Sequence, residues 1–429
     1  MSHYKPYPEY KDSGVEWIGE VPAHWGDTKL VRVFKEKGKD LTAQYPAGAI
    51  SFGEVVTKEM RNEETLASYQ ALEEGEFIVN PLNLNYDLKS LRVALSDKDV
   101  RVSSGYIILR LCDGFQPRYV RWLMYLFDIR YMKTLGGGIR QTITFADIAK
   151  CHVAIPGCAE QSQIATFLDR ETTRIDTLIE KKKRFIELLE EKRQAVITHA
   201  VTKGLDPDVP MKDSGVEWIG EVPAHWASKR VGHFVISKGG GTPQRDYAEF
   251  WDGDIPWVTP KDMKTRMIST TQDSITEAGL HSSSAQWIPP WHVLLVMRSG
   301  ILRHTLPSAL NNCPVTVNQD IRALDVSRGF SPQYFQMFID GMNRQLLYAW
   351  SKQGVTVESL ESDLIDQTFL PTPPRDEQLQ IVAFLNRETS RIDTLIAKTR
   401  QSIELLKERR SALITAAVTG KIDVREEAA

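Results

Sequence analysis

The sequence predicts an α+β protein in which two mixed α/β domains are separated by two long helices. Three observations support this prediction: a fifteen-residue phrase that occurs twice, a longer helical segment that also occurs twice, and two β-rich stretches that differ from each other. The helices are expected to pair as an antiparallel coiled coil, which gives the chain internal pseudo-two-fold symmetry. The predicted segments are 1–157 (first phrase and domain), 158–210 (first helix and linker), 211–374 (second phrase and domain) and 375–429 (second helix and tail).

The phrase KDSGVEWIGEVPAHW is identical at Lys11–Trp25 and Lys212–Trp226, an offset of 201 residues. The first copy has no long helix before it, so under two-fold symmetry its neighbour must be the C-terminal helix. We therefore expect the chain termini to lie close together, and we interpret the phrase as scaffold that joins each domain to the helices. Its predicted anchors are Trp17, Trp25, Trp218 and Trp226.

The long segments Glu160–Asp206 and Glu377–Asp423 align without gaps at an offset of 217, with 29 identities in 47 positions. Apolar residues recur close to every seven residues, which indicates a helix with one apolar stripe. Such a stripe must be buried, at roughly 1.5–3 kcal/mol for each fully buried Leu or Ile, and two near-identical stripes are natural partners. The predicted seam consists of Ile164, Leu168, Ile175, Leu178, Phe185, Leu189, Val196, Ile381, Leu385, Ile392, Leu395, Leu406 and Leu413.

The two variable stretches contain short β-prone runs such as GYIILRL and WHVLLVM, bounded by Gly, Pro, Asn and Asp as strands usually are. Each stretch also contains a GFxPxY motif, at Gly114–Tyr119 and Gly329–Tyr334, followed by a helical pattern and a glycine-containing loop. Each stretch is therefore expected to be a mixed domain of about 130–150 residues.

The bulk composition is that of a globular chain, with 429 residues, 42% of them hydrophobic and 25% charged, and a net charge of −3. No apolar run approaches the ~18 residues that a membrane span needs, and the first residues are not a secretory signal. We therefore expect a cytoplasmic protein with four reduced cysteines. The near-neutral charge argues mildly against a nucleic-acid binder that acts alone.

The two phrases, the two EQxQIxxFLxRETxRIDTLI helices and the two divergent domains resemble the specificity subunit of type I restriction–modification systems. The resemblance covers essentially the whole chain. It implies two target-recognition domains, each reading half of a split sequence in double-stranded DNA, and a spacer that holds two modification (methyltransferase) subunits. Restriction (motor-nuclease) subunits would complete the complex, and no membrane is implied.

The resemblance also implies that catalysis and cofactors belong to the partners, with S-adenosylmethionine on the methyltransferase and ATP and Mg on the restriction subunit. A methyltransferase that modifies base amino groups would need an Asn/Asp-Pro-Pro-aromatic motif. The nearest string, NPLN at Asn80–Asn83, lacks the second proline and the aromatic residue. The glycine-rich strings GGGIRQT and GGGTPQR lack the lysine placement of a phosphate-binding loop. We therefore expect no catalytic, cofactor or metal site in this chain.

If DNA is the ligand, loops of the divergent domains should read it, because Arg and Lys recognise guanine while Asn and Gln recognise adenine. Lys, Arg, Ser and Thr also hold phosphates. A two-headed coiled-coil adaptor that binds proteins instead of DNA remains the alternative, since divergent heads on a conserved spacer would suit it equally. The candidate DNA-binding residues are Lys58, Arg61, Asn62, Asn83, Asn85, Tyr86, Lys89, Arg140, Gln141, Thr142, Gln244, Arg245, Lys261, Lys264, Arg266, Arg298, Arg303, His304, Lys352 and Gln353.

Overall fold

A computed structural model describes residues 4–59, 63–82, 91–135, 142–352 and 358–426. The chain forms two compact units: unit one contains residues 1–182 and 400–429, and unit two contains residues 183–399. The boundary falls inside both long helices. Each unit therefore combines one mixed domain with the first half of one long helix and the second half of the other.

Unit one contains short strands, short helices and the start of the first long helix. Among its described residues the strands are β1 (Tyr10–Asp12), β2 (Glu20–Pro22), β3 (Gly26–Lys29), β4 (Phe34–Glu36), β5 (Gly48–Ser51), β6 (Glu54–Thr57), β7 (Tyr69–Leu72), β8 (Phe77–Val79), β9 (Val93–Leu95), β10 (Val100–Ser103), β11 (Ile107–Leu111) and β12 (His152–Ile155). The helices are α1 (Leu30–Val33), α2 (Glu63–Ala67), α3 (Pro117–Arg130), the 3-10 helix Met132–Thr134, α4 (Phe145–Ala149) and α5 (Cys158–Lys203), the last of which continues into unit two.

Unit two repeats this organisation with the same number of described strands. Its described strands are β13 (Met211–Asp213), β14 (Glu221–Pro223), β15 (Ala227–Arg230), β16 (Ile236–Gly239), β17 (Trp251–Val258), β18 (Met267–Ile268), β19 (Asp273–Ile275), β20 (Val293–Val296), β21 (Ser308–Asn311), β22 (Thr316–Val317), β23 (Ile321–Asp325) and β24 (Phe369–Thr372). Its helices are α6 (Glu277–His281), α7 (Pro332–Gly341), α8 (Asn343–Trp350), α9 (Ser362–Gln367) and α10 (Arg375–Val418), with 3-10 helices at Val231–His233, Ala248–Phe250 and Gly300–Arg303; α10 continues into unit one.

The two mixed domains share one core topology although their sequences diverge. In unit one the antiparallel core sheet has the order β4–β11–β8–β9, and in unit two the corresponding order is β16–β23–β20–β21, with β18 added parallel to β21. In both domains the strand that precedes the GFxPxY motif lies inside the sheet, and the motif leads into α3 or α7. The divergence therefore concerns the loops and strands around a common frame. Unit one has the two-stranded sheets β5–β6 and β10–β7 there, and unit two has the three-stranded sheet β19–β17–β22.

The long helices pair antiparallel, as the sequence predicts. In unit one Arg410 Nε lies 3.0 Å from Asp176 Oδ1, and in unit two Arg193 Nε lies 2.8 Å from Asp393 Oδ1. Residue numbers thus rise along α5 while those of the partners fall along α10. The two ion pairs are related by the 217-residue offset, as internal two-fold symmetry requires.

The buried stripe of the helices agrees with the predicted seam at the helix ends and differs in the middle. Three predicted seam residues, Leu178, Phe185 and Leu395, are exposed by 42%, 46% and 41% of their surface, so the prediction is wrong for them. The buried side chains follow one residue later, at Ile179 and Ile396. The predicted seam residues that are buried are Ile164, Leu168, Ile175, Leu189, Ile381, Leu385, Ile392 and Leu413, and those that are half-buried are Val196 and Leu406.

The shift has a geometric cause. The predicted seam assumed a repeat of 3.5 residues, whereas a straight α-helix has 3.6 residues per turn and drifts ~20° for every seven residues. After two or three such repeats the drift moves the buried position to the next residue. In unit two Leu189 packs against Ile392 and Ile396, beside the half-buried Ile186.

The chain termini lie close together in unit one, which confirms the expectation from the repeated phrase. The segment after α10 meets the N-terminal arm: the Asp423 amide donates to the Lys5 carbonyl at 2.8 Å. The Tyr10 hydroxyl donates to the Gly420 carbonyl at 3.1 Å. In unit two the covalent linker after Lys203 makes the corresponding connection from α5 into the second phrase.

Gly420 is required at the turn that follows α10. Its φ is +68°, and a Cβ there would lie 2.3 Å from Pro22 Cδ. We expect Gly420→Ala to lower the free energy of unfolding by about 1–2 kcal/mol for the left-handed backbone, plus about 1–3 kcal/mol for the steric overlap. Gly19, with a φ of +74° and nothing within 4 Å of an added Cβ, provides the matched control.

Urea unfolding followed by tryptophan fluorescence measures this difference. Gly19→Ala should show only the backbone penalty, and Gly420→Ala should lose more. Equal losses in the two variants would contradict the close packing of the terminal turn against the first phrase.

Candidate nucleic-acid interface

Each long helix carries a glutamate close to its start that captures the repeated phrase. In unit one Glu160 accepts hydrogen bonds from the indole N–H of Trp25 at 3.1 Å and from the hydroxyl of Tyr7 at 2.6 Å. His24 Nε2 lies 2.9 Å from the other carboxylate oxygen. Burial and the hydrogen bond to Glu160 raise the pKa of the Tyr7 phenol, which keeps it protonated and able to donate.

The same joint occurs in unit two. Glu377 accepts from the Trp226 indole N–H at 3.0 Å, and His225 Nε2 lies 2.8 Å from its Oε2. In both copies the phrase lysine, Lys11 or Lys212, donates to the carbonyl of the tryptophan at 2.5 Å. In both units the phrase is thus bound to the start of a long helix, and its role as scaffold stays a prediction. We call these two arrangements joint one and joint two.

The other two tryptophans of the phrase also pack against their units. The Trp17 ring lies 5.7 Å from the Phe127 ring and 6.1 Å from the Tyr131 ring, both at the end of α3 or just beyond it. Trp218 is half-buried against the core of unit two. The phrase thus connects a long helix on one side with the mixed domain on the other.

A glutamine next to each joint glutamate fixes the GFxPxY motif to the helix. The Gln161 side chain accepts from the Gln116 amide at 2.9 Å and donates to the Pro156 carbonyl at 2.9 Å. Gln378 makes the equivalent bonds to Ser331 and Pro373, at 2.7 and 3.0 Å. Sequence reasoning missed all four of these Glu and Gln side chains, although the letters EQ open both copies of the long repeat.

Most of the candidate DNA-binding residues of the first domain cannot be placed. Lys58 and Thr142 are described, and both are exposed. Lys58 follows β6, and Thr142 lies between the 3-10 helix of unit one and α4. The candidates outside the described residues are Arg61, Asn62, Asn83, Asn85, Tyr86, Lys89, Arg140 and Gln141, together with Gln353 of the second domain.

Several candidates of the second domain are exposed on loops, where a ligand could reach them. Arg245 also lies above the ring of Trp251, with its Cζ 5.8 Å from the ring centroid. An arginine held over an indole is restricted in orientation and keeps its N–H donors available at the edge. The exposed candidates that form no ion pair named below are Gln244, Arg245, Lys261, Lys264, His304 and Lys352.

The three remaining arginines of this set form ion pairs within unit two. Arg298 Nε and Arg303 Nε donate at 2.8 and 2.7 Å to carboxylates of Asp320 and Glu358, and both arginines remain more than half exposed. Arg298 Nη2 also lies 2.7 Å from Asp320 Oδ1, so part of its outer edge already faces this carboxylate.

Arg266 differs, because it is half-buried and its Nε lies 2.8 Å from Asp340 Oδ2. Burial lowers the pKa of the Arg266 guanidinium and raises the pKa of the Asp340 carboxyl. This placement favours an internal structural role for Arg266. Its ion pair with Asp340 connects the residue before β18 to the end of α7.

No helix in the described part of the chain is long and apolar enough to cross a membrane. Over the same residues, no three side chains of His, Cys, Asp or Glu come together as a metal site would require.

The family model that matches the chain is the type I restriction modification DNA specificity domain, over residues 69–188 and 223–405. These two stretches make up more than two thirds of the sequence. They correspond to parts of the two mixed domains, each with part of a long helix.

Two curated relatives extend this finding. The chain is 27% identical over 406 residues to the type I restriction enzyme EcoR124I/EcoR124II specificity subunit of Escherichia coli, covering 91% of each chain. It is 28% identical over 193 residues to the type I restriction enzyme MjaIX specificity subunit of Methanocaldococcus jannaschii, covering 44% of this chain and 43% of the relative.

Two solved structures share the fold. A chain from a study of complex assembly and conformational transition in the type I R-M system matches with a TM-score of 0.72 and 15% identity, covering 93% of this chain and 98% of the other. The HsdS subunit from Thermoanaerobacter tengcongensis matches with a TM-score of 0.58 and 17% identity, covering 94% and 98%. The predicted fold class is thereby confirmed.

The two joints differ in the burial of the glutamate and in the number of side chains that it contacts. A matched pair of substitutions measures how much each joint contributes to the free energy of unfolding. The Glu160 side chain is 10% exposed and meets three side chains, whereas Glu377 is 22% exposed and meets two. Replacing the carboxylate by an amide exchanges one acceptor oxygen for an NH2 group, which would face donor groups instead of accepting from them. We expect Glu160→Gln to lower the free energy of unfolding by about 1.5–3 kcal/mol, and Glu377→Gln to lower it by less.

Urea unfolding, read from the fluorescence of the joint tryptophans, provides the measurement. A loss at Glu377 that equals or exceeds the loss at Glu160 would contradict this ranking.

Proposed function

The chain belongs to the family of type I restriction–modification DNA specificity domains, and from this premise we propose how its two units divide the recognition of DNA. Its function is to supply DNA-sequence specificity to a type I restriction–modification complex. The comparisons give no support to an adaptor that binds only proteins. The observation that carries the proposal is the pair of equivalent joints, each holding a domain whose core topology repeats while its loops differ.

We propose that each mixed domain reads one half-site of a bipartite sequence. A common frame held by an identical phrase would present each domain to DNA in an equivalent way. The loops that differ would then recognise different bases, so the full site would not be a palindrome. Half-sites about one helical turn (~34 Å) apart would present the same face of the duplex to both domains.

The proposed partners are two modification subunits, and duplicated apolar side chains on the helices support this number. Leu178 and Leu395 occupy equivalent positions in the two copies of the long repeat, and so do Leu188 and Leu405. All four are exposed by 41–58% although they are leucines on helices whose apolar stripe is already paired. A repeated exposed leucine is explained by a partner that binds twice.

Each unit carries one leucine of each kind, and the helix register places the two at nearly the same level along the helix pair. In unit one Arg410 faces Asp176, so Leu178 and Leu405 lie within ~5 Å of each other along the helix axis, at 1.5 Å per residue. In unit two Arg193 and Asp393 place Leu188 and Leu395 in the same way. We propose that these pairs are the docking points for the two methyltransferase copies.

The partners would supply the chemistry, with S-adenosylmethionine on the modification subunits and ATP and Mg on restriction subunits. Base chemistry of this kind requires the target adenine to leave the helix stack. The chain itself would bind DNA weakly, because its net charge is −3 and several of its exposed arginines are already paired with carboxylates. Phosphate contacts from the partners would then provide most of the affinity.

Exchange of one domain tests the division of labour. We expect that replacing residues 227–372, bounded by β15 and β24, with the corresponding block of a relative changes one half-site and leaves the other unchanged. The reciprocal exchange of residues 26–155, bounded by β3 and β12, is the control and should change only the other half-site. Methylation mapping in cells measures both outcomes. If a single exchange changed both half-sites, or neither, the modular proposal would be wrong.

Paired leucine substitutions test the docking points. We expect Leu178→Ser with Leu405→Ser to remove one methyltransferase copy from the complex, and Leu188→Ser with Leu395→Ser to remove the other. The reason is that a partner loses apolar contact area at only one of two equivalent sites. Mass measurement of the assembled complex counts the copies.

The stability of the free chain provides the control for this experiment. The serine variants should change it by no more than about 0.5 kcal/mol, as expected for exposed positions. Ile179→Ala, at a buried seam position, should instead cost about 2–4 kcal/mol. If both serine pairs still bound two methyltransferase copies, the proposed docking points would be wrong.

A further inference from the structure

A hairpin tip in unit one presents an aromatic side chain to solvent on a strained backbone. β5 and β6 pair with Ser51 opposite Glu54, so Phe52 and Gly53 form the two-residue turn between them. Their φ angles are +49° and +80°. Turns of this kind favour Asn-Gly or Gly-Gly, because side chains crowd the backbone when φ is positive. A phenylalanine in the first position is therefore unusual.

Packing against the described residues does not account for this phenylalanine. Phe52 is 88% exposed, more than any other large apolar side chain in the described ranges. It thus combines an unfavourable backbone with an unfavourable contact between apolar surface and water. Strained residues of this kind persist where a function requires the side chain in that place.

The strands on both sides of the turn pack against a buried cluster, so the base of the hairpin is held in place and the tip projects from it. Val55 belongs to a buried cluster with Leu72, Val100 and others, and Ile50 packs against the same cluster. At the tip, a Cβ on Gly53 would lie 2.8 Å from Leu91 Cδ1. Leu91 therefore lies beside the tip.

The tip also differs from the surfaces that repeat. The exposed leucines of the helices occur in both copies, as expected for a partner that binds twice, whereas Phe52 lies in a domain-specific stretch without a counterpart phrase in the second domain. Unit two carries an exposed aromatic residue at positive φ of its own, Trp291, with a φ of +66° and 47% exposure, in an unrelated stretch of sequence. Exposed aromatic residues that differ between the two recognition domains suit a ligand whose two halves differ. DNA with two unlike half-sites is such a ligand.

We infer that Phe52 is a wedge that inserts against the bases of the first half-site and partly unstacks one base step. The inference rests on the proposed role of the first domain as a reader of DNA. Apolar side chains that enter a duplex in this way kink it at steps that unstack easily, such as TA and CA/TG. Sequence preference then arises from the cost of deformation, with no hydrogen bond from Phe52 to a base.

The test uses the full chain with its methyltransferase partner and a duplex that carries the mapped site. 2-Aminopurine replaces each adenine of the first half-site in turn, and its fluorescence rises when the base loses its stacking neighbours. The signal is expected to rise at the target adenine itself, which the methyltransferase takes out of the stack. Beyond that position, the wild-type complex should raise the signal at one further step. Phe52→Asn should abolish that rise and weaken binding by about 5- to 150-fold, the range that corresponds to losing one aromatic–base stack.

Two further variants separate a wedge from a structural role. Phe52→Trp keeps an aromatic ring and should retain the fluorescence rise. Tyr348→Asn, at an 83% exposed aromatic residue on α8, is the matched control and should change nothing in the first half-site. Because asparagine tolerates a positive φ better than phenylalanine, Phe52→Asn should unfold at the same temperature as the wild type or at a higher one.

Unchanged affinity and fluorescence in Phe52→Asn would overturn the inference. So would loss of the methyltransferase from the complex with base stacking unaffected, since the tip would then contact protein. If the wild-type complex recognised the first half-site with no fluorescence rise apart from that at the target adenine, the wedge alone would be wrong. If exchanging the first domain left that half-site unchanged, the proposed function would fail first.

Discussion

Near its start each long helix carries a carboxylate that holds a tryptophan and a histidine from a segment far away in the sequence. Glu160 does so with Trp25 across 135 residues, and Glu377 does so with Trp226 across 151. Because the acceptor is a partly or fully buried anion, the indole and imidazole N–H groups have few alternative partners. The position of each mixed domain against its helix depends on this contact, and the neighbouring glutamine extends it to the GFxPxY motif.

The two joints have the same geometry, although the chain is connected differently at each one. In unit two the chain passes directly from the end of α5 through a short linker into the phrase. In unit one the corresponding passage is made by the two ends of the chain, joined through Asp423, Gly420 and the residues Lys5 and Tyr10. The additional hydrogen bond from Tyr7 to Glu160 and the tight fit of Gly420 against Pro22 supply non-covalently what the linker supplies in unit two.

Much of this architecture could be predicted from the sequence because it is written twice. The repeated phrase, the helix pair and the proximity of the termini follow from repetition and periodicity alone. The middle of the seam could not be predicted well. A straight helix rotates relative to an exact seven-residue repeat, so after a few turns the predicted positions no longer face the partner helix. Leu178, Phe185 and Leu395 are exposed for this reason. The sequence alone also could not show that Arg266 forms an ion pair with Asp340, or that Phe52 has a positive φ. Both depend on three-dimensional contacts and backbone angles.

The central claim is that one chain holds two DNA-recognition domains with different loops, each attached to the long helices in an equivalent way. Genome-wide methylation mapping in a cell that expresses this chain with its methyltransferase tests it most directly. The account predicts a single bipartite motif whose two half-sites differ in sequence and are separated by a fixed number of unspecified bases. A palindromic motif, one continuous motif, or half-sites at variable spacing would contradict it.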